Sequence, residues 1–249
     1  MIKAWMTPWL LLAIPFLGAG FSLLLRTSLQ RMKTSALLTT VASLLVVVGT
    51  PWALGDSLAG VPFLCLLPVT AFLSLLGQPL HRDNTSAWTA TLVLLGLGLG
   101  ILTAQAPAHD VMLLILPGFL CILLYRYQAG ATPETWRGLS AYGLSMVSAA
   151  LALVLPAPAS TVALLVTCAT LLPLLPVHSG FIATLTGLPG NLPAFLVFLL
   201  PTVGFHTLLT LLPNLTVTTL HTVTILALAG AVYGSLRADR KSTRLNSSH

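Results

Sequence analysis

Apolar residues run through this chain in long stretches, and polar residues collect between them. Nine stretches approach the length of a membrane-crossing helix: 8–25, 35–54, 58–76, 87–104, 111–125, 139–155, 161–176, 192–212 and 217–236. A bilayer core of about 30 Å takes about 20 helical residues. The breaks carry turn chemistry, as at Gly77-Gln78-Pro79, Pro156-Ala157-Pro158 and Pro213-Asn214. The fifth and seventh stretches are the short ones, and both contain proline. The pattern predicts an all-α fold, a polytopic transmembrane helical bundle of about nine spans.

Composition closes off the other classes. Of 249 residues, 56% are hydrophobic and 6% charged, against about 25% charged in a soluble domain. A soluble enzyme, a nucleic-acid-binding domain, a secreted disulfide scaffold and a disordered chain all fit poorly. The net charge of +6 belongs to orientation, because the basic residues flank the apolar stretches. Cys65, Cys121 and Cys168 lie inside apolar stretches with no CxxC spacing, so they read as small core residues. No metal set and no cofactor site is expected.

Alternating spans put Arg26, Arg31, Lys33, Arg82, Arg126, Arg137, Arg237 and Arg240 on one side and Lys3 on the other. The positive-inside rule then places the N-terminus outside and the basic side in the cytoplasm, with a bacterial inner membrane as the expected location. Trp5, Trp9, Trp52, Trp88 and Trp136 mostly flank the spans, as interfacial anchors do. The tail 237–249 is basic and unlike the rest. Lys241 to His249 resembles a translated sequencing-adapter scar, which implies a gene that continues beyond Leu236.

Ionisable groups at membrane depth are costly and so mark function. Asp56, Asp83, Asp110, Glu134 and Asp239 all fall in connections or at span ends. Three histidines remain. His206 lies mid-span in the eighth stretch, His221 in the first turns of the ninth, and His178 just after Pro173 and Pro176. Prolines there remove backbone donors and break the helix, a pattern found at ion sites. His178 and His206 are the proton-pathway candidates, and Pro173, Pro176 and Pro201 the expected helix breaks. His221 reads as an interfacial residue. Gly96 and Gly100 have GxxxG spacing and predict close helix packing.

The run Leu171-Leu-Pro173-Leu-Leu-Pro176-Val-His178-Ser-Gly-Phe181 resembles a signature of the proton-conducting antiporter-like subunits. These belong to respiratory complex I (the M/N/L-type NADH-quinone oxidoreductase subunits), Mrp antiporters and energy-converting hydrogenases. Their motif is Lys-x-Pro-x-x-Pro-x-His-x-Trp, followed by a proline-containing loop, here Gly187-Leu-Pro189-Gly-Asn-Leu-Pro193. Trp136 to Met146 is similar to the family's sixth helix, and His109-Asp110-Val-Met-Leu-Leu to the start of its fifth.

The resemblance implies a three-helix segment over 1–86 and a first inverted repeat of five helices over 87–212. The opening helix of a second repeat would follow over 213–236. It also implies proton or cation translocation coupled to electron transfer in partner subunits of the membrane arm. The chain would be a non-redox subunit without cofactors, contacting lipid and other membrane subunits but not nucleic acid. The family's buried charges are replaced here. Its fifth-helix glutamate falls near Phe119, its seventh-helix lysine on Leu171 and its eighth-helix lysine near Pro201. Translocation is therefore expected in attenuated form. The alternatives are a stand-alone secondary transporter and a purely structural subunit. A membrane-bound transferase ranks lowest, because the short connections leave no room for a soluble active site.

Overall fold

The computed structural model describes residues 2–54, 61–127, 133–174 and 178–230, and these are helical throughout apart from turns. Among the described residues ten helices follow one another. They are α1 (Ile2–Leu24), α2 (Leu29–Leu54), α3 (Val61–Leu76), α4 (Thr85–Thr103), α5 (Ala108–Tyr127), α6 (Pro133–Val154), α7 (Ala159–Leu171), α8 (His178–Gly187), α9 (Leu192–Leu211) and α10 (Val217–Gly230). Among the described residues five helical segments are long and apolar enough to cross a membrane, and α2, α4, α5, α6 and α9 carry them. Pro176 and the tail 237–249 lie outside the described residues.

Helices overrun the apolar stretches at their polar ends. The second stretch starts at Ser35 but α2 at Leu29; the sixth starts at Leu139 but α6 at Pro133. An apolar stretch marks what faces hydrocarbon, whereas the backbone gains by staying hydrogen-bonded on into the interface. Pro133 suits its place in the first turn, where its missing N–H costs nothing.

The bundle is built around α4, which packs on α1, α2, α3, α5 and α9. Its residues from Ala90 to Ile101 are buried almost without interruption. Glycines make that crowding possible. A Cβ at Gly96 would meet Phe16 of α1 at 2.8 Å, and one at Gly98 would meet Leu199 of α9 at 2.5 Å. One at Gly100 would meet Leu12 of α1 at 2.9 Å and Met112 of α5 at 2.5 Å. Three neighbouring elements thus approach the α4 backbone directly, the close contact that small residues allow in membranes. Outward positions are apolar instead, as at Leu17, Leu45, Ile122 and Val154.

Helices α7 and α8 are both short. The 13-residue α7 rises about 20 Å and the 10-residue α8 about 15 Å. Neither alone traverses a core of about 30 Å. Both lie along α6: Thr167 donates to the Ser145 carbonyl at 3.4 Å, Gly180 sits against Ala141, and Gly138 lies against Ala183. The partners on α6 descend in order as the chain advances, so α7 and α8 together run antiparallel to this one helix. Helix α9, by contrast, continues unbroken through Pro201. That corrects the expected break there. Neighbouring helices let a membrane helix absorb a proline without ending. Pro68 and Pro117 are likewise carried inside α3 and α5.

Trp88 is a second correction. It is fully buried against Met32, Ala36 and Leu75, so it is a core residue and not an interfacial anchor. Trp9 and Trp136 are exposed.

Candidate functional site

Two polar layers occupy opposite ends of the bundle. At one end, Lys33 of α2 donates to the carbonyls of Leu76 (3.1 Å) and Gln78, covering the open C-terminus of α3. The Tyr127 hydroxyl donates to Ser86, joining the end of α5 to the start of α4. Asn191, just before α9, is fully buried. Its amide donates to Thr91 of α4 at 2.6 Å and to Ser74 of α3 at 3.4 Å. Gly190 before it takes φ +65, and the left-handed turn costs glycine nothing. These contacts gather the α1–α2 and α3–α4 connections and the end of α5 at one end, where α6 begins beside α5. Arg26, Arg31, Lys33, Arg82, Arg126 and Arg137 therefore share it.

At the other end lies the titratable cluster. His109 and Asp110 open α5, and His206 and Thr207 sit near the end of α9. His109 Nδ1 lies 2.8 Å from Asp110 Oδ1. Its Nε2 lies 3.4 Å from Thr207 Oγ1. The His109 and His206 rings are 6.1 Å apart, tilted by 51°. His109 and Thr207 are buried, while Asp110 and His206 are half-buried.

Thr207 has one hydroxyl proton, and its oxygen also lies 2.9 Å from the Val203 carbonyl. With His109 neutral, Nδ1–H donates to Asp110 and the Thr207 hydroxyl donates to Nε2. With His109 charged, both ring nitrogens donate, and the Thr207 hydroxyl turns to Val203. Every donor finds an acceptor in both states. The two hydrogen-bond patterns differ only in the rotation of one hydroxyl.

His206 joins this cluster. His221 is exposed on α10. His178 is the first residue of α8, and Pro173 follows the end of α7. Leu171 is buried and packs on Gly204 of α9. Phe119 packs against the apolar core. Sequence reasoning missed His109 because the fifth apolar stretch begins two residues after it. The signal available was an adjacent His-Asp pair just after Pro107. Cys168 is buried, Cys65 and Cys121 are half-buried, and all three are free thiols. Among the described residues no group of His, Cys, Asp or Glu is arranged to hold a metal ion. No protein-family profile, curated protein or solved structure matches the chain.

Proposed function

We propose that this chain is an antiporter-like membrane subunit of a complex-I-like redox complex, handling protons at the His109–Asp110–His206–Thr207 cluster. The observation that carries the reading is the placement of His109, buried between a carboxylate on its own helix and a hydroxyl on α9. In this reading the cluster exchanges protons at one end of a bundle whose described helices carry no Lys, Arg, Asp or Glu in the middle. The sequence resemblance around Pro173 and His178 supports the same class. In this reading α1–α6, the α7–α8 pair, α9 and α10 make nine crossings, with α4 to α9 as the first inverted repeat. The histidine end, which holds the α4–α5 connection, faces outside; the basic end faces the cytoplasm of a bacterial cell.

The test is proton uptake by vesicles holding the complete complex. His109→Gln should lower uptake at least about tenfold, the ordinary worth of a positioned acid–base group being about 10²–10⁴. His178→Ala should impair it more than His221→Ala. Unchanged uptake in His109→Gln would remove the cluster from the mechanism. A second reading, a stand-alone secondary transporter, draws on the divided α7–α8 crossing, since discontinuous helices build such sites. Solute uptake by the purified chain alone would favour it over the redox-complex reading.

A further inference from the structure

Helices α1 and α2 meet closely at Gly18, where a Cβ would overlap Thr39. Both residues line an open groove of about 920 Å³ that runs along the two helices. Its volume falls within the roughly 300–1,000 Å³ of ordinary ligand sites. Its lining is graded along the helices. Ser28, Gln30 and Arg31 form the end nearest the α1–α2 turn, and Phe21, Leu38 and Ile14 form the body. Eleven residues separate Ile14 from Leu25 on one wall and Arg31 from Ala42 on the other. At helical rise that is about 16 Å, close to half of a bilayer core of about 30 Å. The groove therefore has the depth of one lipid leaflet.

Arg26 and Arg31 are exposed, and among the described residues neither pairs with an acidic side chain. Lys33 is committed to the carbonyls ending α3. The only acid in the adjoining α3–α4 connection, Asp83, pairs with His81 at 3.2 Å. We infer that this groove binds one anionic phospholipid, with its phosphate on Arg31 and Arg26 and an acyl chain along Phe21 and Leu38. The basic end is where such a headgroup lies, because the remaining arginines share that end. The site stands independently of whether the chain moves ions.

Native mass spectrometry of the complete, delipidated chain tests this. The probes are phosphatidylglycerol and phosphatidylcholine with identical acyl chains. A basic residue near an anionic membrane surface is worth roughly fivefold in affinity. One phosphatidylglycerol should therefore bind at least about tenfold more tightly than phosphatidylcholine. Arg26→Gln with Arg31→Gln should abolish that preference. Leu38→Trp should fill the groove and displace both lipids, while Val41→Trp, an exposed position off the groove, should leave both bound. Circular dichroism checks that each variant keeps its helix content. Inorganic phosphate should not compete, because the acyl chain supplies most of the contact. Equal binding of the two lipids would overturn the proposal, as would a preference that survives the double variant or competition by phosphate. A dimer that Leu38→Trp splits and lipid does not would give the groove to a second copy and overturn it too.

Discussion

Gly180→Ala probes the contact that holds α8 on α6. A Cβ at this position would overlap the Cβ of Ala141 and lie 3.5 Å from the Arg137 carbonyl. Alanine has no rotamer to move aside, so the two helices must separate. Overpacking of this kind costs about 1–3 kcal/mol. Replacing glycine within a helix returns about 1 kcal/mol, which leaves a net loss near 1 kcal/mol. For a chain of this size that lowers Tm by about 2–4 °C. Gly20→Ala, with no atom within 4 Å of its Cβ, should instead raise Tm by a similar amount. The decisive variant combines Ala141→Gly with Gly180→Ala, which moves the methyl group from one helix to the other. Each single change should cost about 1 kcal/mol and the pair nearly nothing, a coupling of about 2 kcal/mol between touching residues. Thermal unfolding of the purified chain in one detergent measures all four proteins. An additive double variant, or a Gly180→Ala protein as stable as the parent, would refute the packing described here.

Other expectations follow from the two polar layers. Asp110→Asn keeps an acceptor for His109 but removes its charge; charge-assisted bonds exceed neutral ones by about 1–1.5 kcal/mol, so proton uptake should fall about tenfold. Asp83→Asn, in an exposed pair with His81, should change uptake little. Asn191→Ala deletes two interhelical hydrogen bonds from a fully buried site and should cost about 1–2 kcal/mol on thermal unfolding. Thr27→Cys and Gln105→Cys should react with a membrane-impermeant maleimide from opposite faces of the membrane; labelling from the same face would contradict the layout of the helices.

Much of the architecture is legible in the residues. Apolar stretches of span length announce the helices, and Gly96 and Gly100 announce a tightly packed α4. What escapes is contact between distant positions. Asn191 reads as a loop residue beside a turn glycine, yet its partner Thr91 lies 100 positions earlier. His109 reads as the edge of a connection, but α9 folds over it and buries it beside Thr207, 98 positions later. Trp88 sits at a span boundary in the sequence, where tryptophans usually anchor to the interface. Burial by α2 and α3 overrides that preference. The short α8 escapes for another reason: the weakly polar His-Ser-Gly stretch that starts it offers no long apolar stretch to mark it.

The spacing of the two polar layers has an electrical consequence. Between Lys33 and its neighbours at one end and Asp110 at the other, the described helices carry no Lys, Arg, Asp or Glu. That stretch behaves as the dielectric of a small capacitor, and a voltage applied across the protein drops over it. Each unit charge carried from plate to plate works against about 2.3 kcal/mol per 100 mV, with no fixed countercharge on the way to share the load.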